Sequence, residues 1–325
     1  MPRSDPISRE RPPRRDLLVE GMAALLLVGC VANEDDSAPI VTPFEDAALD
    51  VYTLGMEPDP SSVVELLGQD VHPVVMVNLL HFREEAAGEG FAGMTGREAY
   101  EQYIAAIGDT QDEIGSRLIW GADVDAQVVG ISDPVFHTVA LLEYVDVQAF
   151  VGFGMALTSE ASDARAAGLE GQWLLAARTV SEDDGALGLG EGCGSWTAEQ
   201  ASASTGLSDD QVGRLFGGPD GPVGVVELFR EGDGGDGLDT YLAATRTVQE
   251  ELGGRRRWSG ELVQMLIGAA EPSFDLMVVS EYPSVACYLA TLSDQRVTSL
   301  SDRRAETEQH WVYATSGDGL GELGR

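Results

Sequence analysis

Apolar positions along the chain follow two periods, and the same alternation of periods occurs twice. After Thr95, whose hydroxyl can close a capping box with Glu98, apolar residues recur at Tyr100, Tyr103, Ile104, Ile107 and Ile114 until Gly115. That spacing keeps one face of a single helix apolar. Leu238, Tyr241, Leu242, Val248 and Leu252 ahead of Gly253 predict a second helix of the same kind. Strand-like runs stand at Val74 to Arg83, Arg117 to Ile131 and Phe136 to Tyr144, with a short one around Trp173 and a counterpart to the first at Val223 to Arg230. Asp146 is placed to cap a helix carrying Val147, Phe150 and Val151. Short helices are predicted from Ser61 to Leu67 and from Ser208 to Phe216, each opening on its serine.

The two patterns superpose at a constant offset of 138 positions. Residues 103–177 over 241–315 give 19 identities in 75 positions without a gap, where unrelated sequences would give roughly five. The identities are of informative kinds and include Arg117/Arg255, Trp120/Trp258, Gly130/Gly268, Phe136/Phe274, Glu143/Glu281 and Trp173/Trp311. The order β-α-β-β-α-β in each copy predicts an α+β fold of two ferredoxin-like modules in tandem. In such a module two helices cover one face of the sheet and leave the other apolar face open. A second copy in the same chain can cover it, so the expectation is a monomer with an internal pseudo-dimer closed into one α+β barrel. The predicted boundaries are a signal peptide at 1–29, a disordered acidic tether at 30–58, modules at 59–178 and 206–315, a Gly/Ser/acidic linker at 179–205 and a disordered tail at 316–325.

Composition narrows the chemistry. The formal charge is −35, from 55 acidic and 20 basic residues, and every basic residue is arginine. Without lysine there is no phosphate-loop lysine, kinase lysine or Schiff base. The acidic surface makes nucleic acid a poor partner. Arg9, Arg11, Arg14 and Arg15 precede an apolar run, Met22 to Val28, that ends in Leu27-Val28-Gly29-Cys30. This resembles a bacterial lipoprotein signal, which implies lipidation at Cys30, a membrane partner through the lipid anchor, and a place on the outer side of the cytoplasmic membrane or beyond. Cys193 and Cys287 have no spacing signature, and they are expected to stay unpaired.

Strand 74–83, the stretches Gly96 to Tyr103 and Gly115 to Trp120, Leu141-Leu142-Glu143-Tyr144 and Arg165 to Glu170 resemble the uncharacterised family called domain of unknown function 1330. The resemblance implies the dimeric α+β barrel superfamily, which also holds antibiotic-biosynthesis monooxygenase-like and muconolactone-isomerase-like domains. It is nearly silent on chemistry, since barrels of this kind host unrelated activities.

Candidate residues follow from position and type. Arg83 and Arg230 end the first strand of each copy, where a guanidinium at a barrel rim can hold an anionic group. His137 and Glu143, six apart on one expected strand, share a face, where a carboxylate near a histidine could act as a general base, with Glu281 the counterpart of Glu143. Asn78, Tyr103, Tyr241, Trp120 and Trp258 are candidates to line a ligand cavity, with core packing the competing explanation of the aromatic residues. Four histidines without ligand spacing, and no dinucleotide or nucleophile-elbow motif, predict no metal and no cofactor. Three functions remain open: binding of a small apolar or aromatic molecule in a barrel cavity, a cofactor-independent monooxygenase- or isomerase-type enzyme, and an interaction module with a filled barrel.

Overall fold

The structure, a computed structural model, describes residues 41–42, 52–130, 136–218, 221–230, 237–268, 274–300 and 309–316. Eight antiparallel strands close a barrel: β1 (Val74–Phe82), β2 (Arg117–Val129), β3 (Thr138–Tyr144), β4 (Leu169–Glu182), β5 (Val223–Arg230), β6 (Arg255–Ile267), β7 (Leu276–Tyr282) and β8 (Gln309–Ser316). Their order around the barrel is β8-β2-β3-β1-β4-β6-β7-β5, with β5 pairing back to β8. Each half has the order second, third, first, fourth, and the halves join at two seams. At one, β4 meets β6 from Leu174 opposite Ile267 to Glu182 opposite Trp258. At the other, β8 meets β2 from Val312 opposite Val129 to Ser316 opposite Asp123. Closure leaves the barrel itself no free strand edge among the described residues.

The helices form where local chemistry permits. Helix α2 (Gly96–Ile114) starts at the Thr95–Glu98 capping box and stops at Gly115, whose φ of 70° suits a residue without a side chain. Helix α3 (Val147–Ala156) is capped by Asp146 and α6 (Asp209–Phe216) by Ser208, both as the sequence predicts. Helix α1 (Pro60–Gly68) is capped by Asp59 instead of a serine, because Pro60 takes the first helical position and Asp59 accepts from the amides of Ser61 and Ser62. The first half also contains α4 (Ser159–Gly168), which the sequence reading missed and which opens on Thr158. In the second half lie α7 (Gly237–Glu251), α8 (Val285–Ser293) and the single turn α9 (Gln295–Thr298).

The stretches expected as linker and as disordered tether both contain structure. Within 179–205, β4 runs on to Glu182 and α5 (Ala198–Thr205) occupies the end, opened by a Thr197–Gln200 capping box. Within 30–58, Val41–Thr42 pairs with Tyr52–Thr53, Gly55 bridges Gln172 through both backbone bonds, and Leu54 joins the barrel core. Acidic, glycine-rich composition reads as solvated chain, but a few apolar residues and open backbone groups are enough to dock it on an existing sheet. The signal peptide, Cys30 and residues 317–325 lie outside the described residues.

Cys193 and Cys287 form a disulfide, contrary to the expectation that they stay apart, with Cα atoms 4.6 Å apart. The chain after β4 returns across the start of α8, so two cysteines 94 residues apart in sequence come to lie together.

Alternate residues of all eight strands point inward. Val75, Val77 and Leu79 of β1, Leu175 of β4, Val226 and Leu228 of β5, and Met277 and Val279 of β7 meet around Trp173, Trp258, Trp311, Phe136, Phe274 and Tyr313. All of these are under 5% exposed. The interior is therefore a packed core, and the expected ligand cavity inside the barrel is filled by rings. Trp173 and Trp311 stack at 5.4 Å across the two halves. Each also lies against a glycine of the opposite half: a side chain at Gly268 would run into Trp173, and one at Gly130 would run into Gln127 and press on Trp311. Their φ values of 121° and 115° impose the same restriction.

The outer faces are covered crosswise. Helix α1 packs on β6 of the other half, where the Asp59 amide donates to the Leu266 carbonyl at 2.9 Å. Helix α6 packs on β2, where Arg214 donates to the Val128 carbonyl at 2.9 Å. Tyr100 and Tyr103 of α2 bury beneath their helix against Phe82 and Tyr144, and Tyr241 does so beneath α7 against Phe229 and Val278.

Candidate functional site

At the rim where β1 ends, a groove of about 560 Å³ is lined by His81, Phe82, Arg83, Glu84, Thr95, Arg97, Asp123, Val124, His137 and Glu170. The volume is in the range that suits a small organic molecule. Five elements build it: the end of β1, the first turn of α2, the middle of β2, the chain entering β3, and the start of β4. Close approach of α2 depends on Gly96, where any side chain would strike the backbone of Arg83 and Gly168. The Gly96 amide donates to the Arg83 carbonyl at 3.1 Å, and the Arg83 amide donates to the Gly168 carbonyl at 3.0 Å.

His81 and His137 stack with centroids 4.5 Å apart. The backbone amide of Phe82 donates to His137 Nδ1 at 2.9 Å, which leaves Nε2 to carry the proton of the neutral ring. Burial lowers the His137 pKa from its ordinary 6.5, with His81 and Arg97 acting in the same direction and Glu170 and Asp123 opposing. His81 Nε2 lies 3.3 Å from Glu170 Oε2.

The two arginines of the groove differ. Arg97 donates to Asp123 Oδ1 at 2.6 Å and Thr138 Oγ1 at 3.0 Å, and Thr138 in turn donates to Asp123 at 2.8 Å. Its guanidinium also sits 5.1 Å above the Phe82 ring. Arg97 is thereby spent on the wall. Among the described residues Arg83 makes no ion pair, and its Nε is buried without a hydrogen-bond partner. In a chain with 55 carboxylates this is the group with charge to offer. Thr95 is the hydroxyl lining the groove, and it is engaged with Glu98 as the helix cap. Among the described residues no three His, Cys, Asp or Glu side chains converge on a metal position.

The sequence candidates separate. His137 and Arg83 share the groove. Glu143 and Glu281 stand at the opposite rim, because β3 begins after His137 and six residues of strand span ~20 Å. There Glu143 pairs with Arg117 at 2.9 Å, and Arg117 also holds Glu182 at 2.8 Å. Glu281 pairs with Arg255 and accepts from Trp120 Nε1 at 3.0 Å. These carboxylates are ionic ties between strands. Trp120 and Trp258 belong to the barrel core, Trp258 donating to Thr179 Oγ1 at 3.0 Å, and Tyr103 and Tyr241 lie under helices.

Asn78 falls on the outer face of β1, where its amide donates to the Met76 carbonyl at 3.1 Å. Strand register corrects the pairing of Arg83 with Arg230. Leu79 faces Trp173 and Leu228 faces Trp311, so Leu79 corresponds to Leu228, Asn78 to Glu227 and His81 to Arg230. Arg83 lies two residues further on, and its counterpart is outside the described residues.

His81, Arg97, Asp123 and Glu170 were not singled out as a site from sequence. The available signal was that His81 and Glu170 both lie in stretches carrying the family resemblance. Nothing in their spacing shows that β1 and β4 bring them together.

No family model and no curated protein matches the sequence. Among solved structures, the chain is similar to a protein of unknown function from Rhodopseudomonas palustris, at 25% identity and a TM-score of 0.37, over 40% of this chain and 99% of that one. It is also similar to a proposed monooxygenase from Lactobacillus acidophilus, at 11% identity and a TM-score of 0.41, over 76% of this chain and 94% of the other. A third is the chlorite dismutase of Candidatus Nitrospira defluvii, at 9% identity and a TM-score of 0.42, over 80% and 97%.

Proposed function

We propose that the chain is a pair of ferredoxin-like modules fused into one α+β barrel, and that it binds a small carboxylate at the rim groove of its first half. The observation that carries the proposal is Arg83, a guanidinium with a buried, unpartnered Nε in a groove whose other arginine is satisfied by Asp123 and Thr138. A carboxylate in the groove would pair with the terminal nitrogens of that guanidinium. Phe82 and Val124 offer apolar wall for the rest of such a molecule. The packed interior supports placing the ligand at the rim and not inside the barrel.

The test is calorimetric titration of benzoate, phenylacetate and succinate into the protein and into an Arg83→Gln variant. At least one should bind the unaltered protein, and the variant should weaken it at least tenfold, the scale of about 1.5–3 kcal/mol for a hydrogen bond to a charged group. Binding that Arg83→Gln leaves unchanged, or none at all, sinks the proposal.

The histidine pair favours a second reading, an isomerase-type enzyme at the same groove, over a monooxygenase-type one. The proposal also places the protein in the cell envelope, held by lipid on Cys30. The Cys193–Cys287 disulfide supports an oxidising compartment. Mass spectrometry of the membrane fraction would check this, and an N-terminal peptide without lipid at Cys30 would refute it.

A further inference from the structure

His137 is fixed in place before any ligand arrives. Its amide donates to the Leu80 carbonyl at 2.7 Å, its carbonyl accepts from the Val124 amide at 3.0 Å, and its ring stacks with those of His81 at 4.5 Å and Phe82 at 5.9 Å. The Phe82 amide then decides where the ring carries its proton. A backbone N–H that donates to Nδ1 at 2.9 Å leaves no room for a hydrogen on that nitrogen, so the ring is neutral and its proton sits on Nε2. Among the described residues Nε2 has no hydrogen-bond partner and is not enclosed by protein, so it opens on the groove that the ring lines. A nitrogen in that state donates and does not accept. The histidine that reads in sequence as part of a general base is a hydrogen-bond donor in the fold.

Arg83 follows directly on the residue whose amide holds His137, so the charged clamp and the neutral donor stand together at the end of β1. Glu84, Asp123 and Glu170 line the same groove, where a second anionic group on a ligand would meet like charge. The group that fits the Nε2–H is therefore an uncharged acceptor. A carbonyl oxygen fits it best, because it brings no hydrogen that needs an acceptor of its own. Arg97 is occupied by Asp123 and Thr138, and the Thr95 hydroxyl by the helix cap, so neither competes with His137 for that oxygen. Resting on the carboxylate-binding reading above, we infer that the groove selects keto acids among small monocarboxylates, with Arg83 holding the carboxylate and His137 Nε2–H recognising the carbonyl oxygen. The fixed ring supplies this recognition without an ordering cost at binding.

The experiment is calorimetric titration of three acids that share one skeleton: 4-phenylbutanoate, 2-oxo-4-phenylbutanoate and 4-oxo-4-phenylbutanoate. The keto acids replace one methylene by a carbonyl, beside the carboxylate in one and beside the phenyl ring in the other. At least one keto acid should bind about threefold to tenfold tighter than 4-phenylbutanoate, the scale of one net hydrogen bond. His137→Asn keeps an oxygen for the Phe82 amide and removes the donor. In that variant the preference should vanish while 4-phenylbutanoate binds as before, which also reports that the variant is folded. Nitrogen NMR of the unaltered protein in mildly alkaline buffer should place the His137 proton on Nε2, a readout that does not depend on any variant. A proton on Nδ1 overturns the inference, as does a keto preference that survives His137→Asn. Binding of 4-phenylbutanoate through Arg83, with neither keto acid bound more tightly, overturns the inference and leaves the carboxylate site standing. Failure of all three acids to bind removes the site and the inference together.

Discussion

Removing the Cys193–Cys287 disulfide tests the architecture most directly, because its effect can be worked from the fold. The bond closes a loop of 94 residues that holds α5, α6, β5, α7, β6, β7 and the start of α8. In the chain-entropy model, closing a loop of that length removes 2.1 + 1.5R ln n from the unfolded state, which at 25 °C is about 4.7 kcal/mol. Measured disulfides typically deliver about 2–4 kcal/mol, because the reduced chain keeps residual structure and the native bond carries some strain. Both cysteines are buried, so the perturbation should be a double change, Cys193→Ala with Cys287→Ala, which leaves no lone thiol inside. The assay is urea unfolding of both proteins with and without reductant. The unaltered oxidised protein should exceed the double variant by about 2–5 kcal/mol. Reductant should move it toward the variant and leave the variant unmoved. The urea slope should rise when the bond is absent, since the unfolded chain then exposes more surface. Alkylation of both Cys193 and Cys287 in the unfolded, unreduced protein, or a difference below about 1 kcal/mol, would refute the reasoning.

Two further outcomes follow from burial. Trp173→Ala empties the centre of the barrel, where Trp173, Phe136, Phe274 and Trp311 pack together. It should cost about 3–5 kcal/mol in urea unfolding and create a dry cavity that binds benzene. A loss under about 1 kcal/mol would mean the interior is not the packed core described. His137, whose pKa is lowered chiefly by burial, binds its proton less tightly folded than unfolded. Its contribution to stability is therefore present above 6.5 and lost as pH falls from 6.5 through the folded value. NMR titration of the ring should give a midpoint below 6.5, and His137→Asn should flatten the acid limb of the stability curve; a midpoint at or above 6.5 contradicts the burial.

Local signals settled much of this molecule. The Thr95–Glu98 capping box, the Gly115 stop, the Asp146 and Ser208 caps and the strand periods are each contained within a few residues, and each is where the pattern places it. The recurrence of Gly130/Gly268 and Trp173/Trp311 was equally visible, but its cause was not. Each tryptophan packs on the glycine of the other half, a relation that crosses the seams β4–β6 and β8–β2. Closure decided the rest. It packed the inward rings against one another in place of the expected cavity, and it carried Glu143 and Glu281 to the rim opposite His137. It also brought Cys193 to Cys287, and His81 and Glu170 together beside Arg83. Caps and periods depend on neighbours a few residues apart, which a sequence states outright. Which side chains share a rim depends on strand register and barrel closure, and those are set by the summed packing of all eight strands.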